Sequence, residues 1–128
     1  MLMPSEEIVK TFWSLMQTND FRSVGEVLSN DFILEWPQSK ERIRGRDNFA
    51  AMNEQYPANV RWEFQINRII AVDNEAVSDV CVTDGVQVAR VISFFQISNN
   101  LIQKMVEFWP DPFAPLENRK HLVELFDN

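Results

Sequence analysis

The stretch from Val60 to Trp109 constrains the fold most, because the polar turns Asp73-Asn74, Asp84-Gly85 and Asn99-Asn100 punctuate alternating apolar runs. Asp, Asn and Gly tolerate the positive φ that tight hairpins require, so the pattern predicts an antiparallel meander. A tight turn also sets the register, since residues pair by counting outward from it. Around Asp84-Gly85 the count puts Cys81 opposite Val88, Asp79 opposite Arg90 and Val77 opposite Ile92. Around Asp73-Asn74 it puts Arg68 opposite Asp79, Ile66 opposite Cys81 and Phe64 opposite Thr83. Around Asn99-Asn100 it puts Phe94 opposite Met105 and Ile92 opposite Glu107. Strand side chains alternate in direction, so Trp62, Phe64, Ile66, Arg68, Val77, Asp79, Cys81, Arg90, Ile92, Phe94, Met105, Glu107 and Trp109 would share one face. That face reads as an apolar, aromatic pocket wall with charges at its centre. Val80, Val82, Ala89, Val91, Phe95, Val106 and Phe108 would form the other, a smooth patch larger than monomers usually expose. Two-fold packing through it predicts a homodimer.

At 128 residues the chain is expected to form a single domain over its whole length, 1–128, with enough buried surface to need no staples. A net charge of −7 without a long basic run argues against nucleic acid and against anionic membrane surfaces as partners. No apolar run approaches the length of a membrane span, and Met1 to Ser5 does not resemble a secretory leader, so a cytoplasmic protein is expected. One histidine, one cysteine and three glycines offer neither a zinc cluster nor a phosphate-binding loop, and no cofactor or metal is expected. Cys81 reads as a small buried hydrophobe.

Before the meander, Pro4-Ser5-Glu6-Glu7 opens a helix to about Thr18, capped by Ser5 and burying Ile8, Phe12, Leu15 and Met16. A shorter helix follows from Asn19-Asp20, with Phe21, Val24, Val27 and Leu28 as its stripe. Asp31 to Trp36 alternates as a first strand, stopped by Pro37. Gln38 to Arg46 reads as a charged loop, and Asp47 caps a helix from Asn48 to Gln55. Past Trp109, Pro110, Pro112 and Pro115 forbid regular structure until Leu116, where a last helix carries Leu122, Val123, Leu125 and Phe126 as part of a lid.

This order, with Glu7-Ile8-Val9-Lys10-Thr11-Phe12-Trp13, Leu28-Ser29-Asn30-Asp31-Phe32, Ile43-Arg44-Gly45-Arg46-Asp47 and Glu107-Phe108-Trp109-Pro110-Asp111-Pro112-Phe113, resembles the SnoaL-like family of the nuclear transport factor 2-like superfamily. The resemblance implies an α+β fold: a cone-shaped, strongly curved, mostly antiparallel sheet wrapped around the N-terminal helices in a cystatin-like roll, with a short C-terminal helix. It implies no single activity, because the superfamily spans isomerases, cyclases, hydrolases, dehydratases and adaptors. Ketosteroid isomerases of this fold place their base just before the proline ending the first strand, where this chain has Trp36. SnoaL-like cyclases use an acid on the last strand, a position comparable to Glu107. Limonene-epoxide-hydrolase-like members combine an acid, an arginine and a second acid, matched in chemistry by Asp79, Arg90 and Glu107. The match departs in spacing, since that family puts its arginine and first acid two residues apart on one strand.

Two classes of function follow. One is a cofactor-independent acid–base enzyme, of isomerase, cyclase or epoxide-hydrolase type, acting on a small apolar molecule. Glu107 would transfer the proton, Asp79 and Arg90 would position water or an oxyanion, and Trp36, Trp62, Phe64, Arg68, Met105 and Trp109 would bind the ligand. The other is a non-catalytic module that binds a small carboxylate or assembles as a dimer, with Arg68, Asp79 and Arg90 as a structural ladder.

Overall fold

A computed structural model of the chain describes residues 2–127. Helix α1 (Ser5–Gln17) leads through a 3-10 turn (Ser23–Val27) into strand β1 (Leu28–Trp36), followed by β2 (Glu41–Arg44) and helix α2 (Arg46–Glu54). Strands β3 (Glu63–Val72), β4 (Glu75–Thr83), β5 (Val88–Ser98) and β6 (Leu101–Phe108) form the meander, and a 3-10 turn (Glu117–Leu122) lies in the C-terminal segment. The six strands make one curved sheet in the order β2-β1-β6-β5-β4-β3, antiparallel throughout except where β1 runs parallel to β6.

Several boundaries move for local reasons. Ser5 does not cap α1; its hydroxyl donates instead to the Asp73 carbonyl at 2.6 Å, pinning the helix start to the β3–β4 turn. The second helix shortens to a 3-10 turn, yet Phe21, Val24 and Leu28 are buried as the stripe predicts. The charged stretch after Pro37 contains β2, an edge strand that buries Ile43 alone, and α2 starts at Arg46 without a side-chain cap. The C-terminal helix is only a 3-10 turn, and every residue from Pro110 to Asp127 is exposed, so this segment does not close over the body.

The register departs from simple counting at three places. The Asp84 carboxylate accepts backbone N–H groups from Val86 at 3.0 Å and Gln87 at 2.7 Å, so the β4–β5 connection spans four residues. Pairing moves by two, to Thr83–Val88, Cys81–Arg90 and Asp79–Ile92, which leaves every side chain on its expected side. At the β3–β4 turn the count holds through Arg68–Asp79, then a bulge at Asn67 gives Ile66–Val80 and Phe64–Val82. A bulge contributes one extra residue, so Phe64 and Ile66 change faces. Ile97 pairs with Ile102 as counted, but the register then slips by one to Phe95–Met105 and Ser93–Glu107.

These slips decide which face is inside, and they reverse the assignment for β4 and β5. Val80, Val82, Val91 and Phe95, expected on the association surface, line the core with Met105. Phe95 meets Phe12 of α1 edge-on at 5.6 Å, and Phe12 lies 6.0 Å from Phe49 of α2. The Trp13 indole donates to the buried Ser78 hydroxyl at 3.1 Å. The convex face carries Val77, Asp79, Cys81, Arg90, Ile92, Phe94, Val106 and Phe108, of which Phe94 and Phe108 stay exposed in edge-to-face contact.

Phe95→Ala should lower stability by about 3–5 kcal/mol, the usual cost of removing a buried aromatic ring, as read by urea unfolding. Hydrogen bonds from Gln87, Asn59 and Val86 hold the Asp84 pKa down at about 2. Its stabilising contribution is therefore complete above the unfolded-state value near 4 and is lost as pH falls toward about 2. Asp84→Ala should be less stable than the parent at neutral pH, and the gap should narrow across that acidic window in urea titrations.

Candidate functional site

The parallel β1–β6 pairing sets Leu34 against Met105 and Glu35 against Val106, which brings Trp36 beside Glu107 at one end of the sheet. On the other flank Ser93 of β5 faces Glu107 directly. The Trp36 indole N–H donates to Glu107 Oε1 at 3.1 Å and the Ser93 hydroxyl to Oε2 at 2.8 Å. Trp109, just past the end of β6, adds a side chain that favours the charged form of this carboxyl. Trp109 is held in turn by Gln38, whose Oε1 accepts the Trp109 backbone N–H at 2.6 Å and whose Nε2 donates to its carbonyl at 3.3 Å. Gln38 thereby extends the β1–β6 ladder past Pro37.

Glu107 is 5% exposed, and among the described residues no cation pairs with it. Burial pushes its pKa above the usual carboxylate range, while the hydrogen bonds from Trp36, Ser93 and Trp109 act in the opposite direction. Glu35 shows the contrast one residue from Trp36. It points to the outer side, pairs with Arg42 at 2.7 Å and Lys104 at 3.2 Å, and has a lowered pKa through those hydrogen bonds. Trp36 is half-buried, Trp109 is 37% exposed and Ala89, at the start of β5, is exposed.

The other expected catalytic residues are elsewhere. Asp79 and Arg90 lie on the convex face, where Arg90 Nε and Nη2 grip the two Asp79 oxygens at 2.8 and 2.5 Å. Arg68 is directly opposite Asp79, and Asn67 Nδ2 lies 3.4 Å from Asp79 Oδ1 and 3.2 Å from Cys81 Sγ. The Arg90 hydrogen bond lowers the Asp79 pKa, with Asn67, Arg90's charge and Arg68 adding to it. The ladder read from the sequence exists, but the sheet separates it from Glu107. The three-residue set of Asp79, Arg90 and Glu107 is therefore not assembled, because the slip beyond Ile97 puts Glu107 on the opposite face.

Of the expected ligand-binding residues, Trp36 hydrogen-bonds Glu107, Trp109 acts on its pKa, and Met105 is fully buried on the same face. Phe64 stacks at a tilt on Trp13, 5.6 Å away. Trp62 is engaged by its own neighbours, its backbone bonded to Asn19 and its indole donating to the Tyr56 carbonyl at 2.8 Å. Arg68 lies outside the cone with Asp79. Ser93 and Gln38 were not singled out by sequence. Counting assigned Ser93 to the opposite face, and only the β6 bulge would have exposed the error; Gln38 carries no signal beyond following a strand-ending proline. His121 and Asp111 are exposed. Two surface depressions, of about 300 and 320 Å³, are lined by Ile70, Val72, Val77, Phe94 and Val106 and by Gln17, Phe64, Gln65 and Cys81; neither reaches Glu107. No group of three potential metal ligands occurs among the described residues, and no helix there is long and apolar enough to cross a membrane.

An acid whose pKa rises on folding contributes its full stability only below its unfolded-state value and loses it as pH climbs through the folded one. Glu107→Gln removes that loss while keeping shape and most hydrogen bonds. Its melting temperature should therefore match or exceed the parent's at pH 8 and gain on the parent steadily from pH 5 upward. Asp79→Asn should do the reverse, destabilising at neutral pH by leaving Arg68 and Arg90 without their shared acid, with the deficit shrinking toward low pH. Melting curves across pH 3–9 check both.

A model of the SnoaL-like domain family matches residues 9–105. No curated protein matches the chain. Among solved structures, a protein from Kribbella flavida assigned provisionally as a ketosteroid isomerase is 25% identical, covers 97% of this chain and 90% of its own, and superposes with a TM-score of 0.88. An NTF2-like protein of unknown function from Burkholderia xenovorans is 24% identical over 96% of this chain and 95% of its own, with a TM-score of 0.79. An epoxide hydrolase of the LEH-like type from M. tuberculosis is 22% identical over 83% of this chain and 82% of its own, with a TM-score of 0.67.

Proposed function

Because this chain belongs to the SnoaL-like domain family, we propose that it acts on a small, mostly apolar molecule at the open end of the curved sheet, with Glu107 as proton donor or acceptor and no cofactor. The observation that carries this reading is the state of Glu107: a buried carboxyl, hydrogen-bonded by Trp36 and Ser93, with no cation paired with it among the described residues. Such an environment moves a carboxyl toward neutral pH, where general acid–base catalysis is most efficient. Ser93 and the Trp36 indole fix its orientation, and Trp36 and Trp109 present partly exposed aromatic surface to a ligand, with Met105 beneath. Asp79 and Arg90 leave the catalytic set and become a clamp across β4 and β5, so the epoxide-hydrolase type of mechanism loses two of its three groups. Isomerisation or cyclisation by a single acid–base residue fits better. Binding of the same class of ligand without turnover is the alternative at this site.

The convex face supports a second reading, association into a homodimer. Ile70, Val72, Phe94 and Phe108 are exposed there around the 300 Å³ depression, a concentration of apolar surface that pairing of two copies would cover. The surface differs from the one expected by counting: Val106 and Phe108 remain in it, while Val80, Val82, Val91 and Phe95 are core.

A panel of epoxides, enones, lactones and small amphiphiles, screened by thermal shift and by turnover, tests the proposal. At least one compound should bind, and Glu107→Gln should reduce turnover by about a hundredfold or more, the usual worth of a general acid–base. Trp36→Phe should weaken binding with a smaller effect on rate. Turnover unaffected by Glu107→Gln, or a panel that leaves the protein unshifted, would remove the catalytic reading.

A further inference from the structure

Every side chain from Pro110 to Asp127 is exposed, although the segment is rich in apolar residues. Phe113 is 80% exposed, Leu122 75%, Leu125 77% and Phe126 89%. Residues of this type would ordinarily find cover. Pro110, Pro112 and Pro115 stiffen the first third of the segment in an extended form and oppose folding back, and the 3-10 turn that follows has no side-chain cap and no buried residue. The same chain leaves an apolar depression of about 300 Å³ uncovered on its convex face, lined by Ile70, Val72, Val77, Phe94 and Val106. Glu75 and Lys104 line its margin, so both signs of charge border it, as both occur along the arm.

We propose that the arm, residues 110–127, crosses to a second copy of this chain and seats its apolar side chains in that copy's convex-face depression, the exchange being mutual. This rests on the homodimer reading above and specifies what makes the contact: an exchanged arm rather than two sheets laid flat. The areas agree with it. A stable pair needs roughly 800 Å² buried per partner. Phenylalanines can bury about 150–250 Å² each, so Phe113 and Phe126 with four exposed aliphatic neighbours approach that figure before the sheet residues are counted. Mutual exchange is isologous, so it closes at two copies and does not propagate.

The test uses the full chain in two variants at exposed positions: an arm variant, Phe113→Asp with Phe126→Asp, and a face variant, Val72→Asp with Phe94→Asp. Circular dichroism and melting curves confirm that each is folded. Sedimentation over a dilution series should show the parent as a dimer and each variant with a dissociation constant raised tenfold or more. Mixing the two variants should recover part of the dimer, because an intact arm from one then meets an intact face on the other. A dimeric parent whose arm variant dimerises equally well overturns the exchange while leaving the homodimer standing. A parent that stays monomeric at 100 µM overturns both. An arm variant that alters protection of the convex face from hydrogen exchange in a dilution-independent way assigns the arm to its own chain, and overturns the exchange as well.

Discussion

Helix α1 lying in the curve of the sheet is the contact on which the rest of the structure depends. Phe12 against Phe95 and Phe49, and Trp13 against Phe64 with its indole on Ser78, tie the first helix to four separate elements. Each ring buries a large apolar area, and the edge-on geometry adds attraction beyond area. The Trp13 indole nitrogen, drawn inside, meets the Ser78 hydroxyl, so the packing leaves no unsatisfied buried donor there. With α1 seated, the face carrying Val80, Val91, Phe95 and Met105 becomes the interior. The ladder of Arg68, Asp79 and Arg90 is then on the outside by necessity.

That necessity explains what the sequence disclosed and what it hid. Alternation and Asx-rich turns identify the meander, helical periodicity gives the order of the helices, and the family resemblance supplies the cone. The Asp84 loop is longer than two residues, but a shift of two is invisible to face assignment, so the Asp79–Arg90 pair survived the error. Single-residue bulges are different. Asn67 has no special mark in β3, and the slip between Gln96 and Ile97 follows a turn whose first pairs obey the count. Each reverses every side chain beyond it. Both faces of β4 and β5 are also apolar, with Val77, Ile92 and Phe94 on one side and Val80, Val91 and Phe95 on the other. Periodicity could separate the two sets without telling which would meet the helix.

Glu107 and Asp79 show how little a residue's type says about its role without its surroundings. Both are nearly inaccessible acids on neighbouring parts of one sheet. Asp79 has a bidentate guanidinium partner and stays ionised, its pKa lowered by that bond. Glu107 has two neutral donors, Trp36 and Ser93, and lies buried, so its charge is costly and its pKa rises. Asp79 gains from its cation, and Glu107 has none among the described residues; that contrast is what the proposed acid–base role rests on.

The position of Trp109 connects this acid to the end of the chain. Its backbone N–H and carbonyl are both committed to Gln38 while its side chain acts on Glu107, so the last tethered residue of the body borders the candidate site. The chain first becomes free at Pro110, where a residue with no N–H cannot continue the ladder. The strand therefore ends where the aromatic surround of Glu107 is complete, and the stiff Asp111-Pro112-Phe113-Ala114-Pro115 run carries the remaining residues away from it. A helix begun directly after Phe108 would have to turn Trp109 away from the carboxyl. The extended, proline-rich exit avoids that conflict, and it also leaves the apolar arm without a surface of its own to lie on.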